Sequence, residues 1–192
     1  MAIETAPKVQ LFYAGIGSRE TPTHIQTIMN QVARYLESEG WILRSGAATG
    51  ADSAFEEGIH DEAKEIYLPW AGYNNHPSEL NPKKYPFTQQ EQDFTAHYHP
   101  RWSACSPSAK LLHQRNTRIV IGCEQIHGAI VQPSRFIICW TIKGAVTGGT
   151  GQALRIAKHY QIPIINFGSA TSPKELEAQL LEIDNIQGRI RA

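Results

Sequence analysis

Three glycine-rich segments constrain this chain more than any other feature, because each follows a short apolar run and precedes a helix-like stretch. Gly15-Ile16-Gly17-Ser18-Arg19 follows the apolar residues 11–14, and Ser45-Gly46-Ala47-Ala48-Thr49-Gly50-Ala51-Asp52 follows residues 41–43. The third spans 144–151, with Thr147-Gly148-Gly149-Thr150-Gly151 at its heart, and follows residues 136–140. A glycine turn lets backbone N–H groups come close to a ligand, and the N-terminus of a following helix favours an anion. Three such turns on one chain predict a common phosphate-binding rim.

The intervening sequence alternates strand and helix patterns. Apolar runs predict strands over 9–14, 41–44, 65–68, 135–140 and 163–167. Spacings of three and four predict helices over 23–39, 52–61, 108–121, 151–160 and 173–181. Thr21-Pro22 marks the entry of the first helix and Gly40 its stop. Apolar strands alternating with helices predict an α/β fold, a doubly wound and mostly parallel Rossmann-like sheet. Residues 1–192 are expected to form a single domain, with its core at about 9–183 and an irregular insertion at about 70–107. Ligands of that class sit at the carboxyl ends of the strands, where all three glycine segments fall.

No apolar run approaches the roughly 20 residues of a membrane helix, and residues 1–8 hold no signal-peptide core, so a cytoplasmic location is expected. Cys105, Cys123 and Cys139 are odd in number and far apart, which reads as reduced thiols. Net charge is zero, but it is unevenly spread. Residues 1–93 hold 13 acidic and 7 basic side chains, whereas 94–174 hold nine Lys and Arg against Glu124 alone. Such asymmetry points to an anionic partner.

Residue chemistry then suggests roles. Gly15 and Gly17 offer backbone donors, Ser18 a hydroxyl and Arg19 a guanidinium able to hold phosphate bidentately. Gly46, Thr49 and Gly50 offer further donors, and Asp52 is either a helix cap or a carboxylate facing a ribose hydroxyl. Thr147, Gly148, Gly149, Thr150 and Gly151 repeat the pattern, and Arg115 and Asn116 complete the expected phosphate- or nucleotide-binding set. Arg101, Trp102, Lys110, Arg118 and Lys143 are the expected nucleic-acid contacts, since cations beside aromatic faces hold single strands. Arg115 and Arg118 are three apart and are expected to share a helix face. Trp70, Tyr73, Tyr98 and Trp140 are expected near the same edge. Neither a G-x-G-x-x-G fingerprint nor a G-K-[ST] ending is met, so no cofactor is expected. His97, His99, Cys105 and His113 match no standard zinc spacing, and no metal is expected. No residue is assigned a catalytic role.

Tyr13 to Arg19 (Y-A-G-I-G-S-R), Ser45 to Asp52 (S-G-A-A-T-G-A-D) and Arg115 to Gly122 (R-N-T-R-I-V-I-G) occur in an order that resembles the DprA/Smf (DNA-processing protein A) family of the SLOG superfamily. The resemblance covers about residues 10–168. It implies a Rossmann-like domain that binds single-stranded DNA and loads a RecA-type recombinase without catalysis. It also implies that Ser18, Arg19, Gly46, Arg115 and Asn116 line a phosphate pocket, and that the protein forms a homodimer. The auxiliary helical and winged-helix domains of that family have no counterpart in these residues. Its S-G-S-L loop is replaced by T-G-G-T-G, which looks more like the P-G-G-x-G-T loop of the sister "lonely guy" phosphoribohydrolases. Those enzymes cleave nucleoside monophosphates with glutamates after the loop, where this chain has Gln152, Ala153 and Leu154. Gln152 cannot ionise to stabilise an oxocarbenium-like transition state. A nucleotide-binding sensor or a nucleoside-monophosphate N-glycosidase is therefore the alternative to a single-stranded DNA binder.

Overall fold

The computed structural model describes residues 10–128 and 132–191. Five strands form one sheet: β1 (Leu11–Gly17), β2 (Trp41–Ser45), β3 (Lys64–Ile66), β4 (Ile137–Trp140) and β5 (Ile164–Asn166). Their order is β3-β2-β1-β4-β5 and every pairing is parallel. This is the doubly wound α/β arrangement expected from the alternation of apolar strands and helices. The strand expected from residue 9 begins, within the described residues, at Leu11; residue 9 itself lies outside them.

The described residues also hold seven helices: α1 (Thr23–Ser38), α2 (Ala51–Glu56), α3 (Gln89–His97), α4 (Pro107–Ile121), α5 (Glu124–His127), α6 (Gly148–His159) and α7 (Pro173–Arg191). Strand residues alternate between two apolar clusters, as a period of two requires. Tyr13, Leu43 and Ile138 pack with Met29, Leu36, Phe55 and Ile183 from α1, α2 and α7. Ala14, Ile16 and Ile137 pack on the opposite face with Ile119, Leu154 and Ile156 from α4 and α6. Trp41, fully buried, donates its indole N–H to Gln187 Oε1 at 2.7 Å and so ties α7 to β2.

Several boundaries differ from expectation for identifiable reasons. The stretch 70–107 contains α3, whose first turn carries a capping box: Thr88 Oγ1 accepts from Glu91 N–H at 3.1 Å and Glu91 Oε2 accepts from Thr88 N–H at 2.8 Å. The helix expected from 108 starts at Pro107, behind Ser106, whose hydroxyl accepts from Ala109 N–H at 3.2 Å. Helix α2 stops at Glu56, short of 61, because Gly58 takes a left-handed φ of 79°. The last helix continues past 181 to Arg191, its buried Ile183 and Ile186 still facing the core.

Candidate phosphate-binding site

Strand β1 occupies the sheet centre, with β2 on one side and β4 on the other, so the chain reverses its direction of winding between β1 and β4. At the carboxyl ends of those strands lies a cavity of about 400 Å³, of the size that small-molecule sites have. Ten of the expected residues line it: Gly17, Ser18, Arg19, Asp52, Arg115, Asn116, Thr147, Gly148, Gly149 and Thr150. Ile16, Leu112, Thr141 and Ile142 add apolar and hydroxyl wall, and Glu20 sits at the mouth.

The cations and donors at this cavity differ in freedom. Arg19 is exposed and donates from Nη2 to Tyr73 Oη at 3.1 Å, which aims its guanidinium along the rim. Helix α6 begins at Gly148 behind Thr147, whose side chain makes no capping bond. Among the described residues, the N–H groups of Gly148, Gly149 and Thr150 find no acceptor. They form the unsatisfied positive end of a twelve-residue helix, directed at the cavity. Asn116 Nδ2 donates to Gly149 carbonyl O at 2.9 Å and holds that turn against α4.

Arg115 and Asp52 form the floor, at 5% and 4% exposure. Asp52 Oδ1 accepts from Gly17 N–H at 3.2 Å, and Oδ2 accepts from Ala48 N–H at 3.4 Å and Arg115 Nη1 at 3.3 Å. The carboxylate is thus a brace between β1, the loop after β2 and α4. Burial pushes its pKa above the ordinary value, and the Arg115 charge opposes that rise. Arg115 also donates to the Gly46 carbonyl, while its Nε is buried without a partner among the described residues.

The remaining glycines have packing roles. A Cβ at Gly46 would lie 1.3 Å from Arg115 Nη1, so glycine here makes room for the guanidinium. Gly50 has a φ of 85° and approaches Ser18 carbonyl O so closely that a Cβ would lie 2.6 Å from it. Gly15 lies within β1 under Phe55, and Gly151 lies in α6 against the Val146 backbone. None of these four lines the cavity, and neither does Thr49, which is exposed.

The expected nucleic-acid contacts do not gather in one place. Arg118 is a correction: it is 2% exposed, not a surface cation. Its Nε and Nη2 donate to Glu91 at 2.7 and 2.9 Å, and the rest of its guanidinium reaches the Tyr85 and Pro86 carbonyls over the Phe87 ring. It holds the insertion down on α4 through partners that Arg115 does not share. Lys143 is exposed in the turn after β4, beside a separate depression lined by Trp140 and Phe167. Arg101 is exposed, and Lys110 Nζ sits 5.4 Å from the Trp102 ring centroid. Tyr98 packs among Phe94, His159 and Tyr160. Trp70, by contrast, is 38% exposed and lies edge-on at 5.0 Å to Tyr73, the residue whose hydroxyl Arg19 contacts.

No protein-family model and no curated protein matches the chain. Among solved structures it is similar to DNA processing protein A from Helicobacter pylori, a structure described for its single-stranded DNA binding mode. The match has 17% identity and a TM-score of 0.48, covering 81% of this chain and 64% of that one. The chain therefore spans just under two thirds of that protein's length.

Proposed function

We propose that this protein binds single-stranded nucleic acid by seating one backbone phosphate in the cavity at the carboxyl ends of β1 and β4. The observation that carries this reading is the convergence of the Arg19 guanidinium and the three free N–H groups of Gly148, Gly149 and Thr150 on one concave site. A guanidinium and a helix N-terminus satisfy different oxygens of the same phosphate. Trp70, partly exposed and packed edge-on to the Tyr73 ring whose hydroxyl Arg19 contacts, offers an aromatic face for a neighbouring base. Arg101, Trp102 and Lys110 supply a second cation–aromatic patch for a strand that continues beyond the cavity. The ordered motifs that resemble the DprA/Smf family point the same way, and they extend the proposal to recombination-mediator work with a RecA-type recombinase as a homodimer.

One observation favours a second occupant, a free mononucleotide. The cavity is walled by Ile16, Leu112 and Ile142 and is of a size suited to a small ligand. Cleavage of such a ligand finds little support. Asp52 is held by three donors, Gln152 is buried toward Thr95, and Glu20 is the carboxylate left at the mouth.

Fluorescence anisotropy with a labelled single-stranded oligonucleotide, at low and moderate salt and with a nucleoside monophosphate as competitor, separates the two. A polymer ligand shows affinity falling steeply with salt, because each neutralised phosphate releases counterions. It also resists displacement by the monophosphate. Absence of oligonucleotide binding at low salt rejects the proposal, and easy displacement with a shallow salt slope assigns the cavity to a mononucleotide.

A further inference from the structure

The insertion brings together three side chains that the sequence keeps apart. The ligand atoms of His99, Cys105 and His113 all lie within 4.8 Å of one another. His99 and Cys105 flank a one-turn 3-10 helix at 102–104, and His113 comes from the second turn of α4. Cys105 Sγ is 3.7 Å from both ring nitrogens of His99, and the two imidazole centroids are 4.3 Å apart. Around a tetrahedral zinc ion, with Zn–N of about 2.0 Å and Zn–S of about 2.3 Å, an N···S separation near 3.6 Å results. The His99–Cys105 pair already has that spacing, and bringing the two pairs that involve His113 in from within 4.8 Å takes at most about 1.5 Å of side-chain adjustment.

A second observation concerns His113. It is 8% exposed, and its Nδ1 is buried without a hydrogen-bond partner among the described residues. A buried ring nitrogen without a partner costs stability unless something takes its lone pair or proton. The ring is also kept neutral: burial first, and then the charge of His99, lower its pKa to about 4. Burial likewise lowers the pKa of His99, so both rings hold the neutral form that ligates metals. Gln152, whose Oε1 is also buried without a partner among the described residues, opposes that fall in the His113 pKa.

We propose that His99, Cys105 and His113 bind a divalent transition metal ion of the zinc class, with solvent in the fourth position. The thiol of Cys105 loses its proton to solvent on binding, and the thiolate offsets one of the ion's two charges. That charge matters because Arg101, Arg115 and Arg155 stand close enough to depress the imidazoles. His99 Nδ1 accepts from Arg101 N–H at 3.2 Å, and an ion bound at that nitrogen replaces this donor, whereas one at Nε2 leaves it. The ion pins the segment bearing Arg101 and Trp102 to α4. His97, on the exposed side of α3, takes no part.

The test is titration of the chelator-stripped full chain with Co²⁺, followed by competition with Zn²⁺ and metal analysis of the purified protein. The expected result is one ion per chain, with a thiolate-to-cobalt charge-transfer band and the visible bands of tetrahedral cobalt. Cys105→Ser removes the charge-transfer band, and His99→Gln weakens binding by more than about tenfold, the smallest effect seen even for outer partners. His97→Gln leaves both unchanged. Circular dichroism of the stripped Cys105→Ser variant checks that it still folds. Absence of the thiolate band from the wild-type chain, or equal Co²⁺ affinity in Cys105→Ser, overturns the assignment.

Discussion

Replacing Arg115 with Met tests whether the floor of the cavity is an electrostatic brace. The Arg115 and Asp52 side chains are both nearly fully buried, with Nη1 3.3 Å from Oδ2. Removing one partner leaves a buried carboxylate with two long backbone donors, at 3.2 and 3.4 Å. Losing one side of a buried pair costs about 3–5 kcal/mol. The long contacts here point to the lower end, about 3 kcal/mol, or a drop in Tm of about 6–12 °C for a chain of this size. The loss also depends on pH in a defined direction. Burial raises the pKa of Asp52 in the folded state. The stability tied to its protonated form is therefore complete below the unfolded pKa, about 3.9, and is lost as pH rises through the folded value. Without Arg115 the folded value rises further, so the destabilisation is largest at pH 7 and narrows toward pH 4. Adding Asp52→Asn recovers much of the loss, since no unpaired charge remains. Urea unfolding at several pH values measures all three quantities. A cost below about 1 kcal/mol, a cost that does not vary with pH, or a double variant that loses the sum of both singles refutes the brace.

Gly46→Ala is expected to reproduce most of the Arg115→Met loss, about 3 kcal/mol, because its Cβ displaces Nη1; an unchanged urea midpoint speaks against that packing role. Arg19→Ala is expected to change stability by less than about 0.5 kcal/mol, as the side chain is exposed, while weakening oligonucleotide binding about tenfold. Unaltered anisotropy titrations for that variant would remove the cavity as the phosphate site. His113 acts opposite to Asp52 on acidification: burial depresses its pKa to about 4, so the stability it contributes is present above its unfolded pKa and fades as pH falls toward 4. Thermal melts from pH 7.5 to 5 should show that fall, and in His113→Gln it should be smaller.

Much of this architecture is legible along the chain, because its signals are local. Apolar runs such as 136–140 and the 3.6-residue spacing of Ile25, Met29, Val32 and Leu36 depend only on which side of one element faces the core. The capping box of α3 was equally local, with Thr88 and Glu91 three apart. It is easily passed over because the helix behind it, with Thr95 its one buried residue, has no apolar stripe. The glycine segments likewise announce close approaches of backbone. Their chemistry could not say which approach serves a ligand and which serves a neighbouring side chain.

That division belongs to the tertiary structure. Gly148 and Gly149 open a helix whose first N–H groups face the cavity, whereas Gly46 exists to admit Arg115 and Gly15 to admit Phe55. Arg115 and Arg118 are chemically identical and three residues apart, yet one braces Asp52 and the other is spent on Glu91 and two carbonyls 27 to 33 positions earlier in the chain. His99, Cys105 and His113 have no regular spacing, and the packing of the insertion on α4 alone brings their ligand atoms together. Element type and sheet class follow from near-neighbour periodicity, which a sequence carries explicitly. The fate of a cation, a thiol or an imidazole depends on partners supplied by distant segments, and those are determined only when the layers close.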